Sequence, residues 1–154
     1  MRAKLVAEGT TVTYVVVLDQ GEEAFSTLTD WAASEGISAA QVTAVGAFER
    51  AVVGWFDRAA KDYRRITVDQ QCEVLSLIGD IAIGPGGDGE AERSQPHLHA
   101  VLGLSDGTTR GGHLIAGHVF PTLEVIITEA PAELRRVMRP DLGVALIDLD
   151  RSES

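Results

Sequence analysis

All four histidines of this 154-residue chain, His97, His99, His113 and His118, fall within one stretch of 22 residues. Imidazole is a common metal ligand and a general acid or base near neutral pH. In a β-strand, residues i and i+2 project from the same face, so His97-Leu98-His99 would set two rings side by side, about 6–7 Å apart at the backbone. Rings spaced in that way can both close on one ion at ~2.0–2.1 Å. Whether His113 joins them depends on a turn. Ser105-Asp106-Gly107 suits a three-residue hairpin loop with Gly107 in the left-handed position. That register pairs Leu104 with Thr108 and, counting back, His99 with His113, so the three rings share one face. A two-residue turn at Asp106-Gly107 would instead set His113 opposite Ala100, on the other face. His118 has the wrong parity to join them unless Gly117 bulges. Three histidines leave a fourth tetrahedral position open, as in catalytic zinc sites. Glu124, at the start of the next strand, is the candidate fourth ligand or general base. The competing reading is a polar cluster that only hydrogen-bonds across the hairpin.

The elements that must hold these residues are mostly strands. Residues 2–7 and 11–19 read as two early strands around Gly9-Thr10. Ala24, Phe25, Leu28, Trp31 and Ala32 make the stripe of a helix laid on a sheet. Asp19 with Glu22 resembles a capping box, and Gly36 is placed to stop the helix. From Ile37 onward the pattern is strand after strand: 42–56 bent at Gly46 and Gly54, then 63–68, 73–83, 97–104, 110–119, 122–128 and one near 143–149. A polar, glycine-rich loop is expected from Gly84 to Gln95. No internal repeat or linker divides the chain. The fold class is therefore α+β: one domain over 1–154, a largely antiparallel or mixed sheet, and one main amphipathic helix.

Composition narrows the function. Hydrophobic residues make up 45% and charged residues 23% of the chain, as in ordinary globular proteins. Cys72 is the sole cysteine, so no intrachain disulfide can form, and it has no neighbour to activate it; a buried, inert thiol is expected. No signal-peptide pattern or membrane-length apolar run is visible, and the expected location is the cytoplasm. The net charge of -10 disfavours nucleic acid, whose phosphates are bound mainly by Lys and Arg. The basic groups Arg64-Arg65 and Arg135, Arg136, Arg139 are flanked by acids and read as solvated faces. Gly84-Pro85-Gly86-Gly87-Asp88-Gly89 matches a dinucleotide-loop pattern formally. It is followed by Glu90 and Glu92 rather than by an apolar helix, so it reads as a plain loop. No serine-hydrolase elbow is present.

Three segments then carry a resemblance: Pro96-His97-Leu98-His99-Ala100-Val101-Leu102-Gly103, Gly111-Gly112-His113-Leu114 and Thr122-Leu123-Glu124-Val125-Ile126-Ile127. Together with Gly46-Ala47-Phe48, Gly54-Trp55-Phe56-Asp57, Tyr63 and the run Glu73 to Ile81, they resemble the plant-and-prokaryote conserved (PPC) domain over about residues 11–130. The resemblance implies a compact α/β fold assembled as a homotrimer. It also implies a divalent metal, zinc, held by His97, His99 and His113. Residues 151–154, beyond the resemblance, are expected to be a disordered tail. The fold is similar to that of acetolactate decarboxylase, where three histidines hold zinc, but that reaction does not transfer on fold alone. His118 lies outside the family pattern. In plants the domain follows an AT-hook in DNA-binding proteins, and no such hook occurs here. The leading reading is an enzyme-like or ligand-sensing metal protein acting on a small polar molecule; the alternatives are a DNA-associated regulator and a structural trimer module without a metal, its histidines only hydrogen-bonded across the hairpin.

Overall fold

A computed structural model describes residues 1–7, 9, 11–86 and 91–153 of the chain. Its elements are β1 (Arg2–Ala7), β2 (Val12–Asp19), α1 (Ala24–Ser34), β3 (Ala39–Asp57), β4 (Asp62–Val68), β5 (Cys72–Gly84), β6 (Arg93–Gly103), β7 (Thr109–Glu129), β8 (Arg136–Arg139) and β9 (Val144–Ile147). A 3-10 turn follows at Leu149–Arg151. Seven strands form one sheet in the order β1-β2-β7-β6-β5-β3-β4, and a further pairing of β7 with β3 closes β7, β6, β5 and β3 into a ring. Every neighbour pair in the sheet is antiparallel. The α+β expectation holds, with one α-helix among the described residues.

Alternation decides which side chains leave the core. On β6, Leu98, Ala100 and Leu102 are buried, so His97 and His99 must point the other way. The inner residues join one apolar cluster with Leu28, Trp31 and Ala32 of α1 and with Leu114, Leu123 and Ile127 of β7. Each fully buried Leu or Ile in it contributes about 1.5–3 kcal/mol by leaving water. The helix is capped by Glu23, whose carboxylate accepts from the N–H groups of Phe25 and Ser26 at 3.1 and 2.8 Å. The expected Asp19–Glu22 pair does form, with Asp19 N–H donating to Glu22 at 2.7 Å, but it closes a turn ahead of the helix. That turn is tied to β7 by Gly21 N–H to Val119 O and Val119 N–H to Glu22 O, which delays the helix start. At the other end Gly36 and Ile37 donate to Ala33 O and Ala32 O, and the helix stops where expected.

Four expectations about the elements change. β6 begins at Arg93, so the loop is shorter than Gly84 to Gln95; residues 87–90 of the glycine-rich stretch lie outside the described residues. Pro96 is tolerated within the strand because β7 pairs only with residues 99–103, leaving that edge of β6 free. The segments 110–119 and 122–128 are one strand, β7, continuous through a cis Phe120–Pro121 peptide. Near the C-terminus a second strand, β8, pairs with β9 as a separate hairpin. Residues 151–153, expected as a tail, end the 3-10 turn and pair Glu153 with Glu133.

Gly112 sets how close two strands approach behind the histidines. It has φ +154°, and a Cβ there would lie 2.3 Å from the backbone oxygen of Gly54. Gly112→Ala is therefore expected to cost about 2–3 kcal/mol in urea denaturation, from strain and backbone displacement together.

Candidate metal centre

The hairpin between β6 and β7 has the three-residue register. Leu104 N–H donates to Thr108 O at 2.9 Å, Gly107 takes φ +81°, and His99 pairs directly with His113. Asp106 fixes the loop, accepting from Thr108 N–H at 2.9 Å and from the Thr108 hydroxyl at 2.7 Å. The consequence at the other end of the ladder is that three imidazoles meet. His97, His99 and His113 each offer one ring nitrogen, and these nitrogens all lie within 4.8 Å of one another. The Nε2 atoms of His97 and His99 are 3.3 Å apart. Two nitrogens bound tetrahedrally at ~2.0–2.1 Å from one zinc ion would be separated by about 3.3–3.4 Å, so this pair already has the spacing of two zinc ligands. His113 Nδ1 is buried and has no hydrogen-bond partner. A buried polar atom left so is costly, and a cation beside the cluster would remove that cost. The donor set therefore fits a borderline-soft divalent ion such as zinc.

The surroundings favour the neutral form of two of the rings, His113 and His97. Burial pushes His113 down from 6.5 to about 4, helped by His97, His99 and Arg136. Burial also lowers His97, with Arg136 and His99 acting in the same direction and Asp80 against them. Neutral imidazoles present the lone pairs that a metal needs. Tyr63 of β4 stacks on His113 with centroids 4.5 Å apart and planes at 18°, and Phe56 meets Tyr63 edge-on at 5.2 Å. The histidines open into a cavity of about 670 Å³ walled by these two rings, Met138, Leu146 and Arg136.

Some expected residues do not join. Glu124 is exposed on β7, opposite Val45, and lines a separate depression with Leu75 and Ile126. The expectation places Glu124 at the start of a separate strand after residue 120. β7 instead runs on, and each strand residue carries the chain about 3.3 Å farther away. Within one chain Glu124 is thus not among the residues that meet at the cluster. His118 pairs with Arg50 of β3 and is outside the cluster, as its parity indicated.

Two residues that pattern reading passed over stand beside the site. Asp80 of β5 pairs directly with His97, and its Oδ2 lies 4.0 Å from His97 Nδ1. Arg136, read from the sequence as part of a solvated basic group, is only 6% exposed. It donates to Asp80 Oδ1 and, at 2.7 Å, to Gln95 O. A lone carboxylate within the apolar run 74–83 was the available signal for Asp80. Nothing local marked Arg136. Cys72 is buried, and burial raises its thiol, as expected of an inert group.

A small antiparallel ring of strands with one covering helix and a three-histidine cluster on its outer surface defines the class of protein. The chain belongs to the Plants and Prokaryotes Conserved (PCC, or PPC) domain family, whose model matches residues 6–131. A PPC protein of Pyrococcus horikoshii is 27% identical, with a TM-score of 0.80 over 96% of this chain and 94% of that one. The metal-containing protein AF0104 of Archaeoglobus fulgidus is 26% identical, with a TM-score of 0.79 over 96% and 99%. A supposed DNA-binding protein of Bacteroides thetaiotaomicron shares the fold at 24% identity, with a TM-score of 0.83 over 97% and 99%. More distantly, a Staphylococcus aureus protein of unknown function similar to alpha-acetolactate decarboxylase shares the fold, with a TM-score of 0.51 and 18% identity over 76% of this chain and 52% of that one. No curated protein matches the sequence. Among the described residues no helix is long and apolar enough to cross a membrane.

The depressed His113 makes a prediction about acid stability. Between about pH 4 and 6.5 the unfolded chain binds a proton at this residue that the folded chain does not. The stability is thus fully present above pH 6.5 and is lost as pH falls toward 4. Urea denaturation of chelator-treated protein between pH 7.5 and 4.5 should show this loss, and His113→Phe, which keeps a ring against Tyr63, should flatten the profile.

Proposed function

We propose that this chain is a stand-alone PPC-type protein that holds one divalent metal, zinc, through His97, His99 and His113. In this reading it assembles as a homotrimer and acts on or senses a small polar molecule. The observation that carries the reading is the convergence of three ring nitrogens within 4.8 Å, two of them already at the separation of zinc ligands. The metal-containing relative from Archaeoglobus fulgidus supports it. When bound, such an ion supplies a Lewis acid with one open position. The chain's own residues supply the rest. Tyr63 and Phe56 shield one side of the cluster, Arg136 stands beside it paired with Asp80, and no carboxylate lines the cavity among the described residues. The site therefore suits a neutral or anionic molecule of modest size over a cation. Self-assembly is supported by the apolar side chains Val45, Leu75, Ile78 and Ile126, each half or more exposed on the outer sheet face next to His99. Clustered exposure of that kind marks a protein interface.

DNA association is the second reading, favoured by the name of the Bacteroides thetaiotaomicron neighbour and opposed by the net charge of -10. Elemental analysis of purified full-length protein is expected to give one zinc per chain, and His99→Ala to remove it. Zinc content unchanged in that variant would overturn the proposal. A gel-shift titration at moderate salt is expected to show no complex with duplex DNA. Tight binding with a steep salt dependence would favour the regulator instead. Light scattering should give three times the mass of the chain.

A further inference from the structure

The family model ends at residue 131, yet part of the site's wall comes from beyond it. Residues 136–147 form the β8–β9 hairpin, and Met138, Val144 and Leu146 face the cavity across from Phe56 and Tyr63. The hairpin is tied down at both ends. Near its base, Ile83 N–H donates to Leu134 O at 2.7 Å and Leu134 N–H to Ser38 O at 3.1 Å. At its tip, Lys61 Nζ donates to Pro140 O at 3.2 Å. Between these ties stands Arg136, buried although its neighbours Arg135 and Arg139 reach solvent.

Burying a guanidinium is expensive unless its donors are matched. Both of Arg136's acceptors flank one histidine. Asp80 lies across the strand pair from His97, and Gln95 lies two residues before it on the same strand. Asp80 uses one oxygen for Arg136 and turns the other toward His97 Nδ1, 4.0 Å away. His97 Nε2 faces His99. The ring's two nitrogens are thus divided, one toward a carboxylate and one toward the cluster, which is how a metal-binding histidine is oriented by an outer partner.

We infer that Arg136 latches the C-terminal hairpin onto the back of His97 through Asp80, making Asp80 and Arg136 positioning residues of the three-histidine site and the hairpin its outer wall. The inference rests on the metal reading for its purpose, while the latch itself can be measured without metal. The chain beyond the family segment then both shapes the cavity and holds one ligand in register.

The test uses the full chain with Asp80→Asn, Arg136→Met and the double variant. In metal-free protein, nitrogen NMR of the imidazoles is expected to show His97 leaving its wild-type tautomer balance in Asp80→Asn. Hydrogen exchange is expected to show amides of residues 137–146 losing protection in Arg136→Met. Zinc affinity, by competition with a chromogenic chelator, should fall about 10- to 100-fold in each single variant, with the double no worse than the weaker single. Arg136→Lys should restore part of it. A merely structural ion pair would lower the melting temperature but leave the His97 resonances and the zinc affinity at wild-type values, and that result overturns the inference. If wild-type protein binds no zinc, the metal reading falls while the two metal-free measurements still decide the latch. Should Arg136→Met fail to fold, Asp80→Asn, which keeps the side chain's shape, carries the test.

Discussion

The pairing of His99 with His113 is the constraint on which the rest of the site depends. It is a register, and register in a sheet is binary: a slip of one residue sends a side chain to the opposite face. Here it is held from two directions. The Gly107 loop sets the count along the β6–β7 ladder, and the close approach of Gly112 to Gly54 anchors β7 against β3. Once the pair is set, strand periodicity brings in His97 with no further specification. The buried alternates Leu98, Ala100 and Leu102 hold β6 in place, because turning the strand over would expose them and bury imidazoles.

The electrostatics follow from the same placement. Burial against Tyr63 penalises a charged His113, and the neighbouring rings and Arg136 add repulsion, so His113 is held neutral well below its usual range. Neutrality is what turns a cluster of bases into a candidate cation site. Arg136 looks at first like a poor neighbour for such a site. Its charge is met by Asp80 and by the Gln95 carbonyl, so the cluster faces a pair rather than a bare guanidinium. Among the described residues this acidic chain thereby lines the cavity with no carboxylate, and the nearest one, Asp80, is held behind His97.

Much of this was legible in advance. The helix stripe, the early strands and the three-residue turn are local features, set by side-chain period and by glycine at a left-handed position, and they are present as expected. The errors lie where one segment's role depends on a distant one. Glu124 was placed by assuming that a strand ends near Pro121. Whether β7 ends or continues depends on β2 and β3, which pair along it on both sides. The helix cap moved from Asp19 to Glu23 because hydrogen bonds to Val119 hold the preceding turn. Arg136 read as solvated because its neighbours in the chain are charged, and no local pattern shows a guanidinium that an unconnected strand will cover.

The sequence alone therefore determined the cluster's membership: which three histidines share a face, and why His118 does not, since parity and turn length are properties of adjacent residues. It also determined the family, through motifs spread along most of the chain. The tertiary structure decided what surrounds the cluster. Tyr63 on one ring, Asp80 and Arg136 behind another, and the hairpin wall come from segments far apart in the chain. They meet only because the sheet closes on itself and a buried charge must find its partner.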